Sequence, residues 1–419
     1  MARVSGRRRW IVRARPAFLM DRWKPGERRS GRLIAVLAGV CLSYLLLYAF
    51  VTLHRGERYP FGDFFALWSY AKIAIAHAPA ELYDPGALHS AQVALGMEPG
   101  QQNPFPYPPS FLLILWPLGF LSYLPAYALW IAGSFGLYLW ATVERSARTL
   151  TTAIAILAPT TTIMLVAGQS GFLAGALAIG GLRLIRTRPI LAGVLLGLLS
   201  YKPQLWLLVP IALIAARAWR TIAAIGLTIA ALVALTSMAF GWSIWSAWLA
   251  SLPGYSRDFD AGAVRYHLMP TVTANLQMLG VSLSAARLIQ LVVAAGIAIL
   301  IWRCFRSGAT RQAASALLAG TFLATPHAFV YDLPMLTGAV TGFVAEKLRI
   351  DSGFSLAEIA VLVFALAFPA LMMFAGPHIP VSTLPELLLF GLVLARPRTR
   401  PEGQRSEAEP IRSSPKPSP

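Results

Sequence analysis

Charge is scarce in this chain of 419 residues. Asp, Glu, Lys and Arg together make up 13% of it, whereas hydrophobic residues make up 57%. A soluble protein carries about 25% charged residues, because its surface must be covered with groups that water solvates. The shortage excludes an ordinary soluble domain. We therefore predict a polytopic, all-α integral membrane protein, solvated by lipid over most of its surface.

Cysteine is scarce too. The two cysteines, Cys41 and Cys304, both lie within apolar runs, which excludes a disulfide framework and a thiolate metal site. The sequence also lacks a Gly-rich phosphate loop before Lys-Ser/Thr, a pair of histidines at zinc spacing and a Gly-x-Ser-x-Gly elbow. These absences disfavour ATPase, metalloprotease and serine hydrolase functions. The sequence predicts no metal site and no cofactor.

Acidic residues are half as numerous as basic ones, 18 against 36, and the net charge is +18. Such a balance can indicate nucleic-acid binding, but here the basic residues concentrate at the chain ends. Residues 1–32 form a basic N-terminal tail, and 396–419 form a C-terminal tail that is predicted to be disordered. Basic flanks are typical of the cytoplasmic side of a membrane. We expect anionic lipid headgroups as their partner, and no nucleic acid.

Long apolar runs fill most of the segment 33–395, which we predict to be the transmembrane domain. The first run, 33–53, is long enough to cross ~30 Å of hydrocarbon. It is a signal anchor, because no small-x-small cleavage site follows it. Arginine-rich turns mark the cytoplasmic side at Arg183, Arg186 and Arg188, at Arg217 and Arg220, at Arg303, Arg306 and Arg311, and at Lys347 and Arg349.

Both termini are then predicted to be inside, which requires an even number of crossings. About thirteen apolar runs are present, so we expect about twelve spans in a helical bundle. The closely spaced pair 109–122 and 124–143 is expected to contain the run that does not cross.

The segment 188–216 is too short for two ordinary crossings. A single helix would place the arginines before and after it on opposite sides, whereas a helical hairpin broken at Pro203 keeps both groups inside. We predict the hairpin. Short helices of this kind are tolerated where protein or a water-filled cavity satisfies their ends, so a cavity at the outer face follows.

Two polar segments, 54–106 and 242–270, are predicted to be outer loops from their charge balance. In the first, apolar residues recur at helical spacing and predict an amphipathic helix over 64–78 along the outer interface. In the second, Trp242, Trp245 and Trp248 are predicted to lie at the membrane interface.

Four polar residues at helix ends or breaks could carry chemistry, and each has a structural alternative. Asp63 is either a general base or a helix N-cap. Lys202 either binds a phosphate or snorkels from a hairpin tip. Gln169 either bonds a substrate hydroxyl or belongs to a turn, and His327 either binds phosphate or substrate or is structural.

Together these stretches resemble glycosyltransferase family 87, whose members are membrane enzymes of the GT-C fold and include polyprenol-phosphate-dependent mannosyltransferases. Ser170 departs from the family pattern, which often has asparagine after Gly-Gln. The stretches that carry the resemblance are Gly62-Asp63-Phe64, Glu81-Leu82-Tyr83-Asp84-Pro85, Tyr107-Pro108-Pro109, Gly168-Gln169, Arg188-Pro189 through Tyr201-Lys202-Pro203, and Thr325-Pro326-His327-Ala328.

The resemblance implies a hexosyltransferase that moves a mannose-like sugar from a polyprenyl-phosphate donor to a hydroxyl of a glycolipid or glycan, by inverting single displacement. It implies that the enzyme works at the outer face of the bacterial inner membrane. A transporter or lipid flippase is the alternative, because broken helices and an intramembrane lysine also suit a carrier. The family resemblance also implies roles for single residues. They are a general base for Asp63, donor phosphate binding for Lys202 and His327, and substrate binding for Gln169, Tyr83 and Asp84.

Overall fold

The computed structural model describes residues 62–260, 266–350, 353–374, 380 and 382–395, together with Gly39 and Leu42. Over these residues the chain is helical and contains no strand, so the all-α prediction is confirmed. The predicted tails 1–32 and 396–419 lie outside the described residues, as does the predicted first span 33–53 apart from Gly39 and Leu42.

The described helices follow one another with short connections. The α-helices are α1 (Gly62–Ala76), α2 (Pro85–Ala94), α3 (Leu112–Leu115), α4 (Tyr123–Thr142), α5 (Arg148–Leu157), α6 (Pro159–Ala167), α7 (Gly171–Leu184), α8 (Pro189–Leu198), α9 (Val209–Ala215), α10 (Trp219–Phe240), α11 (Ser243–Asp260), α12 (Val272–Met278), α13 (Leu283–Phe305), α14 (Arg311–Ala324), α15 (Pro334–Arg349), α16 (Leu356–Phe374) and α17 (Leu384–Leu394). Short 3-10 helices lie at Pro79–Tyr83, Pro109–Phe111, Trp116–Phe120, Arg145–Ala147, Leu199–Tyr201, Pro203–Trp206, Tyr266–Leu268 and Val330–Asp332.

Four described helices, α4, α10, α13 and α16, are long and apolar enough to cross a membrane. The pair formed by residues 145–157 and 159–167 is bent by 47° and would make a fifth span. The chain is thus a membrane protein, but the predicted count of about twelve spans is not confirmed. Several runs form shorter apolar helices instead, and Pro109–Phe120 is one of them. Since α4 has full length, the structure favours Pro109–Phe120 as the run that does not cross.

Helix α1 differs from the prediction of an amphipathic helix on the outer surface. It spans Gly62–Ala76, and every residue from Phe64 to Ala71 is buried. The backbone of Gly119 lies so close that a Cβ there would be 2.6 Å from the Ala71 carbonyl oxygen. The prediction was wrong because Phe65 and its neighbours add a second apolar face, and a helix that is apolar all round is buried.

Helices α8 and α10 show that the intervening chain is a hairpin. A Cβ at Gly193 would meet Ala224, and one at Gly197 would meet Thr228, so contacts advance along both helices in the same direction. Parallel helices require that the chain between them runs back across the bundle. The hairpin predicted with its break at Pro203 is therefore confirmed.

The tip of this hairpin contains Lys202, which lies between the 3-10 turns Leu199–Tyr201 and Pro203–Trp206. Proline at this point cannot donate a backbone hydrogen bond, so the helix cannot continue through it. Across the hairpin, the indole nitrogen of Trp206 donates to the carbonyl oxygen of Leu196 at 3.0 Å.

The arginines between helices meet at one end of the bundle, in an ion-pair network. Glu144 after α4 contacts Arg183 of α7 at 3.4 Å and Arg311 of α14 at 3.3 Å. Arg311 also contacts Glu346 of α15 at 3.1 Å, and Arg349 contacts the same carboxylate at 2.7 Å. The positive-inside rule predicts that this end faces the cytoplasm.

Candidate functional site

Three helix breaks meet at the opposite end of the bundle. They are the turn 168–170 between α6 and α7, the hairpin tip 201–203, and the connection 325–333 between α14 and α15. The Tyr201 hydroxyl donates to the Ser170 carbonyl oxygen at 3.1 Å, which joins the first two. A Cβ on Gly171 would lie 1.8 Å from the Tyr331 carbonyl oxygen, so the third approaches the first as closely as only glycine permits.

Lys202 forms a buried ion pair at this junction. Its Nζ lies 2.5 Å from Oδ1 of Asp332, and the two side chains are 2% and 1% exposed. The other carboxylate oxygen of Asp332 accepts the backbone N–H of Phe329 at 3.1 Å. The lysine nitrogen also lies 5.0 Å from the centre of the Tyr331 ring. The snorkelling alternative was wrong, because a snorkelling lysine keeps its ammonium in water.

Asp332 is the residue that sequence reasoning missed. It lies five positions after His327, and none of the sequence motifs includes it. A signal was present, since a lysine in an apolar surrounding needs a partner and Asp332 is the only acid between Arg311 and Glu346. Choosing it from sequence alone would have required knowing that α14 and α15 pack beside the hairpin.

His327 lies in the same connection and is half-buried. Its backbone is fixed by Thr325, whose hydroxyl donates to the His327 carbonyl at 3.1 Å and accepts the His327 N–H at 3.3 Å. Burial lowers the pKa of the imidazole, the charge of Asp332 partly offsets this, and Lys202 lowers the pKa further. The histidine is therefore neutral near pH 7, and its ring packs edge-on against Phe329 at 5.2 Å.

Tyr107 is subject to the charges of two carboxylates of the site. Its ring is half-buried, and burial raises the pKa of its phenol, as do the charges of Asp332 and Asp63 in that order. The side chains of Ser170 and Gln169 lie beside the phenol and partly offset this rise in pKa. The pKa of the Tyr107 phenol thus depends on charges at the hairpin junction and at the start of α1.

The segment that carries Tyr107 is held by hydrogen bonds to its backbone. Three tyrosine hydroxyls donate to its carbonyl oxygens: Tyr70 to Pro104 at 2.6 Å, Tyr83 to Tyr107 at 2.8 Å and Tyr255 to Phe105 at 2.7 Å. These tyrosines come from α1, from the turn before α2 and from α11. Three elements that are separate in the chain therefore fix the position of Tyr107.

Asp63 is exposed in the first turn of α1. The next residue, Phe64, is buried against the turn at Gly168, where a Cβ would lie 2.5 Å from the Phe64 Cβ. Gly168 has φ of +68°, a conformation that favours glycine. Burial raises the pKa of the Tyr107 and Tyr331 phenols, and the negative charge of Asp63 contributes to the rise in both. The Asp63 carboxylate is thus exposed to solvent and acts electrostatically on both phenols. Its role as a general base stays a prediction.

The three predicted substrate ligands have structural contacts. Tyr83 is buried and bonded to the Tyr107 carbonyl, and Asp84 caps α2 by accepting the Ala87 N–H at 2.8 Å. Gln169 is half-buried, and its Oε1 accepts the Ser170 N–H at 3.1 Å. Gln169 is the one of the three whose side chain lies beside the Tyr107 phenol. Their roles in substrate binding stay predictions.

A family model described as Glycosyltransferase family 87 matches residues 105–326, which is more than half of the chain. The chain belongs to glycosyltransferase family 87. The resemblance drawn from the motifs is thereby confirmed. Comparison with curated proteins gives no match, and comparison with solved structures gives none either.

In this family 87 glycosyltransferase the match includes Tyr107, Gln169 and Lys202, whereas Asp63 and Asp332 lie outside the matched residues. Chemically, the site offers an exposed carboxylate, a neutral imidazole and a buried ammonium already paired with a carboxylate. An exposed carboxylate can accept a proton from a hydroxyl, and a fixed ammonium can stabilise a leaving anion.

Proposed function

We propose that this glycosyltransferase moves a hexose, mannose-like in the first instance, from a polyprenyl-phosphate donor to a hydroxyl of a glycolipid or glycan. The transfer takes place at the outer face of the bacterial inner membrane. Membership of family 87 supports sugar transfer. The observation that carries the proposal is that the three helix breaks meet at one end of the bundle, where Lys202 pairs with Asp332 in the same connection that carries His327. The charge of Asp63 at the start of α1 acts on the Tyr107 phenol of the same site.

In the proposed reaction Asp63 takes the proton of the acceptor hydroxyl while that oxygen attacks the anomeric carbon. The bond between the anomeric carbon and the phosphate oxygen breaks, and its electron pair stays on the phosphate. The positive charge of Lys202 and the imidazole N–H of His327 stabilise the leaving polyprenyl phosphate. A single displacement inverts the anomeric centre, so no covalent nucleophile is required.

The position of the site suits a donor with a lipid tail. The three breaks lie at one end of a bundle whose long helices α10 and α13 expose large apolar side chains, among them Leu227 and Leu291. A polyprenyl chain could therefore remain in lipid while its phosphate reaches the three helix breaks from the membrane surface. We also propose that the fold is of the GT-C type and that the chain crosses the membrane about twelve times.

Purified protein incubated with a panel of polyprenyl-phosphate sugars and a glycolipid acceptor tests the proposal. We expect release of polyprenyl phosphate together with a glycosylated product of inverted anomeric configuration, measured by mass spectrometry and NMR. A transporter or flippase would instead move the lipid between leaflets of proteoliposomes without releasing polyprenyl phosphate. That second result would overturn the transferase assignment for this donor class.

A further inference from the structure

The ammonium of Lys202 is not accessible to a ligand in the state that the structure shows. The side chain is 2% exposed and is held 2.5 Å from Asp332. Three half-buried rings in contact with one another, those of His327, Phe329 and Tyr331, belong to the connection that carries Asp332. The Tyr331 ring lies 5.0 Å from the lysine nitrogen. A phosphate can contact Lys202 directly only if this connection shifts and the lysine gives up part of its contact with Asp332.

These two movements are coupled by one carboxylate. Asp332 binds Lys202 through Oδ1 and the Phe329 backbone N–H through Oδ2. Loosening the contact of the lysine with Asp332 therefore also loosens a contact that shapes the connection 325–333. The buried pair therefore stabilises the conformation of the hairpin tip and that of the connection 325–333.

We propose that Asp332 is an exchangeable counter-ion, a positioning residue that competes with the lipid phosphate for Lys202 and sets how tightly the product is held. This inference rests on the proposed function, because it takes the phosphate from the donor named there. Without ligand, Lys202 is neutralised by Asp332. With ligand, the ammonium turns to the phosphate, and its return to Asp332 displaces the product.

The charge that develops during transfer gives this exchange a direction. The donor is a phosphodiester with one negative charge, whereas the released phosphomonoester carries about −1.5 to −2 at pH 7. The product therefore attracts Lys202 more strongly than the donor does. A permanent carboxylate beside the lysine opposes that attraction and keeps the product from becoming a tight inhibitor.

Asp332→Asn tests the exchange, because the amide keeps the size and an oxygen for the Phe329 N–H but removes the competing charge. A short-chain polyprenyl monophosphate should bind this variant about tenfold or more tightly than it binds the native enzyme. At saturating substrates kcat should fall, since release of the product is slowed, and the donor KM should fall with it. A purely structural lesion would weaken binding or leave it unchanged.

Thermal unfolding in detergent supplies a second readout that needs no catalysis. Polyprenyl monophosphate should raise the Tm of Asp332→Asn more than it raises that of the native enzyme, because the ligand neutralises an otherwise unpaired ammonium. The matched control is Glu358→Gln, which removes the carboxylate charge from the Lys347–Glu358 pair at the other end of the bundle. Its Tm shift with the ligand should equal that of the native enzyme.

Three probes separate the possible sources of binding: polyprenyl monophosphate, the dephosphorylated polyprenol, and inorganic phosphate. The exchange predicts that the increase in affinity requires the phosphate group, with polyprenol showing none. If inorganic phosphate reproduces the increase, the exchange still holds and the lipid tail contributes only additional affinity.

The double variant Lys202→Met/Asp332→Asn tests whether Lys202 binds the phosphate, even if Asp332→Asn alone does not fold. It contains no unpaired charge, and it should bind polyprenyl monophosphate about tenfold or more weakly than the native enzyme. Native affinity in this variant, or equal or weaker binding by a folded Asp332→Asn, would overturn the exchange while leaving sugar transfer intact. Failure of the proposed function would look different, since the native enzyme would then neither transfer the sugar nor bind the lipid phosphate.

Discussion

The ammonium of Lys202 lies 2.5 Å from the carboxylate of Asp332, a residue 130 positions further along the chain, and both side chains are buried. A buried charge that has lost its partner destabilises a protein by about 3 to 5 kcal/mol. Pairing removes most of that cost and joins the hairpin tip to the connection between α14 and α15. The same contact makes single substitutions of Lys202 difficult to interpret, because each leaves Asp332 unpaired.

A double-mutant cycle should show this coupling. We expect Lys202→Met and Asp332→Leu each to lower the free energy of unfolding by about 3 to 5 kcal/mol, because each leaves one buried charge without a partner. The double variant should lose much less than the sum of the two. Denaturation in detergent measures the three values, and strictly additive losses would mean that the pair does not form in solution.

Asp63→Asn separates the two roles of that residue. Asp63 lies inside the first turn of α1, so it is not the N-cap residue. Asparagine has the size of aspartate but accepts no proton, so the protein should fold normally while turnover falls by roughly 10² to 10⁴. Glu98→Gln removes another exposed carboxylate from the predicted outer segment 54–106 and should leave turnover unchanged. Near-normal sugar transfer by well-folded Asp63→Asn protein would leave Asp63 with a structural role only.

Gly171→Ala should disturb the site through its backbone. The added Cβ would lie 1.8 Å from the Tyr331 carbonyl oxygen, so the connection 325–333 must move away from α7. We expect a loss of stability of about 1 to 3 kcal/mol and a marked drop in kcat. The control is Gly226→Ala on α10. There the added Cβ would have no atom within 4 Å beyond the adjacent residues and the nearby backbone of its own helix. There the better helix propensity of alanine should make the change neutral or slightly stabilising.

The stability of the protein should depend on pH through His327. Burial lowers the pKa of this histidine below its ordinary value of 6.5 in the folded protein. The unfolded chain then binds the proton more readily, so the free energy of unfolding is fully retained above about pH 6.5 and falls as the pH drops below it. Thermal unfolding between pH 7.5 and 5 should show a smaller decrease for His327→Gln than for the native protein. The same substitution at exposed His77 is the control.

The two ends of the bundle should differ in their accessibility from outside the cell. In a chain with Cys41 and Cys304 replaced, a cysteine at Glu98 should react with an impermeant maleimide added to intact cells. A cysteine at exposed Ser307, close to the arginine end, should react only after the membrane is opened. The reverse pattern would place the proposed site on the cytoplasmic side and contradict the outer-face reaction.

Much of the local structure could be predicted from the sequence because it depends on neighbouring residues. The breaks at Gly168 and Pro203 follow from a residue that adopts positive φ and from one that lacks a backbone N–H. The hairpin followed from the arginines on either side of it. Family membership was also readable, since short motifs in a fixed order carry it.

The burial of α1 and the number of full-length spans could not be predicted in the same way. A run of apolar residues indicates contact with something apolar, but lipid and protein satisfy it equally well. The structure shows that Phe65 faces protein, whereas Leu227 on α10 is largely exposed. Helices shorter than a membrane's thickness, such as α8 and α9, are stable because their neighbours satisfy their ends.

The sequence by itself determined the membrane class, the helical fold, the arginine turns and the position of each helix break, because composition and backbone chemistry act over a few residues. Only the tertiary structure decided which breaks meet. It brought Asp332 to Lys202, and it docked Phe64, the residue after Asp63, on Gly168. A lysine in an apolar segment requires a counter-charge, but which acid supplies it depends on the packing of helices that are far apart in the chain.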